Sequence, residues 1–264
     1  MILPPTHGAI APVDFFIYAA CDTGYFDEFG RELIDSIHTN AREHLHLHIF
    51  NPTSAQLDYC ANQSNVSVTY EYAGPELFDA AASRWTAVPA DELRKSQLDR
   101  TVNAMGKGND INLHHRMQKT YYACARFIRL AELARNQRFM SMDVDALVRR
   151  PLPALGTEYD FYLHKITGRK ARILAGGMYV HPQGRSQEFL DEYAQALKVS
   201  LQNDYIYWGL DQDVLDKIVP KYLSGHLPMS LIDWDMHPDS VIWTAKGTRK
   251  DSPKFVSEKR RYTS

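Results

Sequence analysis

Three short runs of apolar, β-prone residues recur in the first third of the chain, and helix-forming segments separate them. Residues 13–20 (VDFFIYAA) are apolar almost throughout, as a strand buried on both faces must be. Phe29, Leu33, Ile34 and Ile37 then recur at helical spacing, which predicts an amphipathic helix. Residues 45–50 (LHLHIF) return to extended character and stop at the turn signal Asn51-Pro52. A short helix over residues 54–61 leads to a third strand over residues 66–72 (VSVTYEY). Alternation of this kind requires parallel pairing with right-handed crossovers, and it places ligand sites at the C-terminal ends of the strands. The fold class expected is therefore α/β, with a mostly parallel central sheet flanked by helices.

Residues 74–112 read as a loop-rich insertion, with Gly74-Pro75, Pro89 and Gly106-Lys107-Gly108-Asn109. A strong helix is predicted over residues 116–135, with Met117, Tyr121, Cys124, Ala125 and Ile128 on one stripe. A strand follows from Phe139 into Asp143. Further on come a basic hairpin-like stretch, a strand over residues 175–180, a helix over residues 187–197, a helix near Asp211 and a polar, proline-containing tail. No internal repeat is visible, and 264 residues suit one domain. Apolar residues make up 44% and charged residues 23%, with a net charge of −2. No global field draws such a chain to nucleic acid or anionic membrane. Cys21, Cys60 and Cys124 are odd in number and far apart, which argues against a disulfide framework or a four-cysteine zinc site. The first 13 residues lack the pattern of a signal peptide, and no apolar run reaches the ~20 residues that span a bilayer. A cytoplasmic protein with no membrane span is expected.

The sharpest chemical signal is Met140-Ser141-Met142-Asp143-Val144-Asp145. In extended backbone, residues two apart point the same way. Two carboxylates at that spacing, just past a buried strand, suit a hard cation such as Mg²⁺ or Mn²⁺ that keeps open positions for substrate phosphates. Turn chemistry is the plainer reading of Asp-x-Asp. His44, His46 and His48 alternate along one strand face, but no carboxylate partner lies nearby in sequence, so a structural role is expected of them rather than a metal tract.

Residues 119–151 (KTYYACARFIRLAELARNQRFMSMDVDALVRRP) resemble the region before and through the DxD motif of GT-A glycosyltransferases, in which a helix carrying an arginine precedes the strand that delivers the metal-binding aspartates. Three further pieces resemble that family in the same order: Ala19-Ala20-Cys21-Asp22 with Tyr25, Ala175-Gly176-Gly177-Met178, and Trp208-Gly209-Leu210-Asp211-Gln212. The last is similar to the W-x-x-DQ element of retaining members such as glycosyltransferase family 8. The resemblance implies a single GT-A-like, Rossmann-like domain. Residues 14–150 would bind nucleotide and metal, and residues 151–264 the donor sugar and acceptor. It also implies a UDP-sugar donor, with Asp143 and Asp145 on Mn²⁺ or Mg²⁺. Ala20, Asp22, Tyr25 and Val144 would lie at the nucleotide, and Gly176 and Gly177 at the donor sugar. Asp211, Gln212 and Arg126 would be catalytic, with retention of anomeric configuration. The acceptor, whether glycan, protein or small molecule, would meet residues 74–112.

Physical arguments stand beside the resemblance. Lys119 and Arg126 are seven residues apart and share a helix face; Lys119 reads as solvated, and Arg126, between Ala125 and Phe127, as half-buried and functional. Lys246, Arg249 and Lys250 surround Gly247, and a basic loop of this kind would stabilise a departing diphosphate. Family 8 enzymes have a late His-Gly-Lys element. Here the histidine is missing at that spacing, and His226 or His237 is left as the third metal ligand, His237 being the expectation. Asp211 also suits a helix N-cap. A sugar nucleotidyltransferase would carry a glycine- and arginine-rich loop after the first strand, where this chain has Cys21-Asp22-Thr23-Gly24-Tyr25-Phe26. A haloacid dehalogenase-type phosphatase places its Asp-x-Asp near the N-terminus. A non-catalytic nucleotide- or glycan-binding module fits the same residues.

Overall fold

A two-residue strand, β1 (His7–Gly8), precedes the first apolar run, which forms β2 (Phe15–Asp22). The computed structural model describes residues 1–86, 113–166, 172–203, 206–245 and 247–263. A single helical turn, α1 (Thr23–Tyr25), and a π-helical turn at Phe26–Gly30 lead into α2 (Arg31–Asn40). Then come β3 (His44–Phe50), α3 (Ser54–Ala61), β4 (Val66–Glu71), α4 (Glu76–Thr86), α5 (Leu113–Leu133), β5 (Arg138–Met142) and β6 (Ala146–Val148). The second half contributes β7 (Phe161–Ile166), β8 (Arg172–Val180), α6 (Ser186–Gln202), α7 (Leu210–Ile218), β9 (Ser224–His226), β10 (Ile232–Asp233), β11 (Ile242–Thr244) and α8 (Pro253–Lys259).

The main sheet has eight strands in the order β1-β4-β3-β2-β5-β8-β7-β9. β2 pairs in parallel with β3 and with β5, and β3 with β4, as the strand–helix alternation requires. β8 runs antiparallel to both β5 and β7, with a register shift between Leu163 and His164. A second sheet has three strands in the order β10-β11-β6, and β6 begins just past the turn after β5. Because side chains alternate along a strand, β2 feeds two cores. Phe16 and Tyr18 join α5, α6 and α7 on one face; Ile17, Ala19 and Cys21 join α2, β6, β11 and α8 on the other.

One expectation is overturned here. Residues 76–86 are helical rather than loop, because Phe78, Ala81 and Ala82 fall on one helix face and are buried in the same core as Met117 and Tyr121 of α5; Pro75 is placed where a helix start tolerates proline. Residues 87–112, including Gly106–Asn109, lie outside the described residues, as does the basic stretch 167–171. The polar tail is also ordered structure. Ser252 caps α8, Phe255 and Tyr262 are buried, and Lys259 pairs with Glu32 at 3.2 Å.

The histidine run on β3 is structural. The imidazoles of His44, His46 and His48 interleave with Ser67 and Thr69 of β4 at 2.7–2.9 Å. Burial pushes His46 down to about 3, so it stays neutral between its hydroxyl partners. The ladder ends at Glu71, fully buried and 3.6 Å from His48. Glu71 accepts from Arg129 Nε at 2.6 Å and from the Tyr121 hydroxyl. Burial raises its pKa, but His48, Arg129 and Tyr121 outweigh burial and hold the carboxyl below its ordinary value. Removing one partner of a buried pair leaves an uncompensated charge. Arg129→Met is expected to lower the unfolding free energy by about 3–5 kcal/mol in urea denaturation, and Arg129→Lys by less.

Candidate functional site

The strands end where the chemistry collects. β5 delivers Asp143 and Asp145 immediately past its last residue, Met142, and β6 begins at Ala146. The intervening Val144 is buried in the core beneath the turn, so the two carboxylates are presented together on the other side. The Asp145 carbonyl accepts from Ala245 N–H at 3.1 Å, which fixes the turn to the end of β11.

Each carboxylate has its own cation, from a distant part of the chain. Arg126, on α5, donates from Nη1 to Asp143 Oδ1 at 2.5 Å, and its Nη2 lies 3.5 Å from Asp211 Oδ2. The position of Arg126 is set by packing: the hydroxyl of Tyr18 on β2 donates to its carbonyl at 2.8 Å, and the guanidinium lies 4.5 Å from the centre of the Phe127 ring. Burial works against the charge of Arg126, and Asp143 and Asp211 together hold it protonated.

Lys250, on the 3₁₀ turn Gly247–Asp251, reaches Asp145 Oδ2 at 2.8 Å. Its ammonium also donates to the Tyr25 hydroxyl at 2.8 Å and lies over the rings of Tyr25 and Phe29, at 4.2 and 4.9 Å. Burial pushes Asp145 up, the charge of Asp143 pushes it further, and Lys250 only partly offsets both, leaving the carboxyl raised to about 6. Asp145 Oδ1 is buried and has no hydrogen-bond partner.

Of the remaining residues singled out from sequence, Gly176 touches this pair and Tyr25 reaches it through Lys250. Ala20 and Asp22 close β2, and Asp22 Oδ1 accepts from Tyr25 N–H at 2.8 Å, capping the turn that carries Tyr25. Gly176 lies against Asp143: a Cβ there would come within 2.7 Å of Asp143 Oδ2. Gly177 faces away, towards Ile232 and Leu227, leaving 3.1 Å for a Cβ. Both glycines thus mark close approach.

Asp211 is not the N-cap of α7. Gly209, at φ 89°, holds that place, because only a left-handed turn lets the chain enter the helix here. Asp211 is buried in the first turn, its carbonyl accepting from Tyr193 at 3.1 Å. Gln212 keeps a buried Oε1 without a partner.

His237 belongs to a different cluster. Its N–H donates to Asp233 Oδ2 at 2.6 Å, and its exposed ring lies 3.9 Å from Asp239. Among the described residues, no group of three His, Cys, Asp or Glu side chains converges as a metal cage. His226 accepts from the N–H of Lys165 at 3.2 Å. Lys246 lies outside the described residues, and Lys119 is half-buried. Sequence reasoning did not single out Phe29, read only as part of an apolar stripe. Nor did it single out Thr244, opposite Ala146, whose hydroxyl is buried without a partner. No helix among the described residues is long and apolar enough to cross a membrane.

The sequence matches no family profile and no curated protein. Solved structures do match. The galactosyltransferase LgtC, solved with donor and acceptor sugar analogs, aligns over 94% of this chain and 96% of its own, with TM-score 0.52 and 12% identity. The bifunctional glycosyltransferase WbbM aligns over 95% of this chain and 51% of its own, with TM-score 0.54 and 14% identity. The glycosyltransferase GlyE of Streptococcus pneumoniae TIGR4 aligns over 94% of this chain and 59% of its own, with TM-score 0.55 and 11% identity. This chain thus spans nearly all of LgtC, about half of WbbM and about three fifths of GlyE. An α/β sheet ending in Asp143 and Asp145, superposable on three such proteins, has the GT-A glycosyltransferase fold.

Proposed function

We propose that this protein transfers a sugar from a nucleoside diphosphate donor, of which a UDP-sugar is the first candidate, to an acceptor, with a divalent cation held by Asp143 and Asp145. The observation that carries the reading is the carboxylate pair itself, at the C-terminal end of a central strand and served by cations from α5 and from the turn at Gly247–Asp251. The pair fits a hard cation. Asp145 has a buried oxygen without a partner, and Asp143 Oδ2 occupies a recess that a side chain at residue 176 would fill. Both donors are carboxylate oxygens, the ligand type that Mg²⁺ and Mn²⁺ prefer, and a two-carboxylate site leaves positions for phosphate oxygens. When bound, the cation would supply Lewis acidity to the leaving diphosphate.

The other roles belong to the chain's own side chains. Tyr25 and Asp22, at the end of β2, are assigned to the nucleoside. Lys250 holds a positive charge beside the carboxylates on an otherwise exposed turn, and it is the group assigned to the negative charge that develops on the departing diphosphate. Arg126 bridges Asp143 and Asp211 and so fixes the α7 turn relative to the carboxylates. Asp211 and Gln212 are then assigned to the hydroxyls of the donor sugar, beside Gly176, which lies against Asp143.

Titration of UDP by calorimetry should show binding that requires Mn²⁺ and is lost in Asp143→Ala and Asp145→Ala. Binding that ignores the metal would remove the support for this reading, and hydrolysis of a UDP-sugar panel with Mn²⁺ separates an enzyme from a binding module. Lys250→Met is expected to lower turnover by about 10²–10³-fold while Mn²⁺-dependent UDP binding persists. Because a metal ligand must lose its proton and Asp145 titrates at about 6, Mn²⁺-dependent UDP affinity should be constant above neutral pH and fall progressively below pH 6. Titrations at a series of pH values check this.

A further inference from the structure

Beyond the carboxylates, the same edge of the sheet carries an aromatic and imidazole cluster. His164 ends the regular register of β7, where the strand shifts against β8. Its ring is buried and stands perpendicular to the Trp234 indole at 4.1 Å between centroids. His226, the last residue of β9, lies 5.4 Å from His164. Trp234 is half-buried and His226 exposed.

The cluster is tied to the proposed donor site from two sides. Across the sheet, β7 is two strands from β5, so the cluster lies about 10 Å from the carboxylate turn at the usual strand spacing. Gly177, beside the glycine that touches Asp143, packs on Ile232 and Leu227, which flank the Trp234 loop and His226. Along the chain, Asp235 next to Trp234 accepts from Arg249 at 3.3 Å, and Arg249 shares its turn with Lys250.

The chemistry of the cluster selects a neutral, polyhydroxylated ring. A perpendicular contact covers at most one face of the indole, and Trp234 is only half-buried, which leaves indole surface for the C–H face of a sugar. Burial, and then the neighbouring His226, push His164 down to about 4, so the support beneath Trp234 stays uncharged. His226 Nδ1 accepts from the Lys165 N–H, which fixes the neutral ring with its proton on Nε2, a donor for a sugar hydroxyl. Among the described residues, the ammonium next to His164 in the strand, that of Lys165, is spent on the carbonyl and hydroxyl of Ser224, at 2.8 and 3.0 Å.

We infer that Trp234 and His226 form the subsite for a neutral sugar ring of the acceptor, with Trp234 stacking on the ring and His226 donating to a hydroxyl. The inference rests on the glycosyl-transfer reading, and it assigns the acceptor class as a neutral glycan.

Saturation-transfer NMR with methyl β-D-galactopyranoside, cellobiose and maltose as probes, at millimolar concentration, tests it. At least one should bind the wild type. Trp234→Leu should weaken that binding about tenfold, as loss of a stacked ring does, and Trp234→Phe should largely keep it. His226→Leu should weaken it and His226→Gln restore part. UDP binding with Mn²⁺, measured on the same variants, should be unchanged, which shows that they are folded. Wild type that binds none of the three probes, or Trp234→Leu that binds them as wild type does, overturns the inference. Loss of UDP binding in the wild type overturns the donor reading instead, and saccharide binding is read independently of it.

Discussion

Two carboxylates two residues apart, at the edge of a buried sheet, repel each other and resist desolvation. Most of what surrounds them here answers that constraint. Asp143 and Asp145 cannot both ionise in this setting without counter-charge. The fold supplies one cation from the middle of a 21-residue helix and another from a turn near the C-terminus. Arg126 is held by Tyr18 through its carbonyl and by Asp211 through its second nitrogen, so the strand before the site and the helix after it are both referred to one guanidinium. Lys250 is held by two rings and a phenol. The cations therefore fix the relative placement of β2, β5, α5, α7 and the C-terminal turn.

The strand pattern was legible because burial leaves a strong mark on composition. Residues 13–20 and 45–50 announce strands with few polar residues, and the parallel order of β2, β3 and β4 follows from the helices between them. Helix α3 matches its expected span of residues 54–61, where Thr53 and Gln56 form a reciprocal cap. Helix α4 was missed because Gly74-Pro75 reads as a loop, while the apolar face of Phe78, Ala81 and Ala82 has meaning only once α5 lies against it. The ordered C-terminus was missed for a similar reason. Phe255 and Tyr262 are isolated among lysines and arginines, and nothing local says that they fall into the core beside Phe29 and Ile34.

In the site, legibility divides by sequence separation. Asp143 and Asp145 are visible because strand geometry alone aligns them. The meeting of Arg126 with both Asp143 and Asp211 spans 17 and then 85 residues, and that of Lys250 with Tyr25 spans 225. Helical spacing could place Arg126 on a face, but only the packing of α5 between β2 and α7 decides which carboxylates that face meets. The plainer reading of Asp211, as a helix N-cap, fails on a single backbone fact. Aspartate is a good N-cap, but Gly209 at φ 89° takes the cap and moves Asp211 into the first turn, where its carboxylate lies 3.5 Å from Arg126.

The same distribution of charge bears on how such a site would operate. A divalent cation on the carboxylates would bring a second positive charge beside Lys250, which pairs with Asp145 Oδ2. The lysine is well placed to yield, because its turn is otherwise exposed and its remaining partners, Tyr25 and Phe29, attract it through rings rather than through a second carboxylate. Arg126 is not placed to yield: its guanidinium is held between two acids and its backbone is part of a long helix. Binding of a cation and diphosphate would therefore be felt first at Lys250. Arg249, on the same turn, pairs with Asp235 beside Trp234, so the carboxylates and the neighbouring aromatic cluster share one short turn of chain.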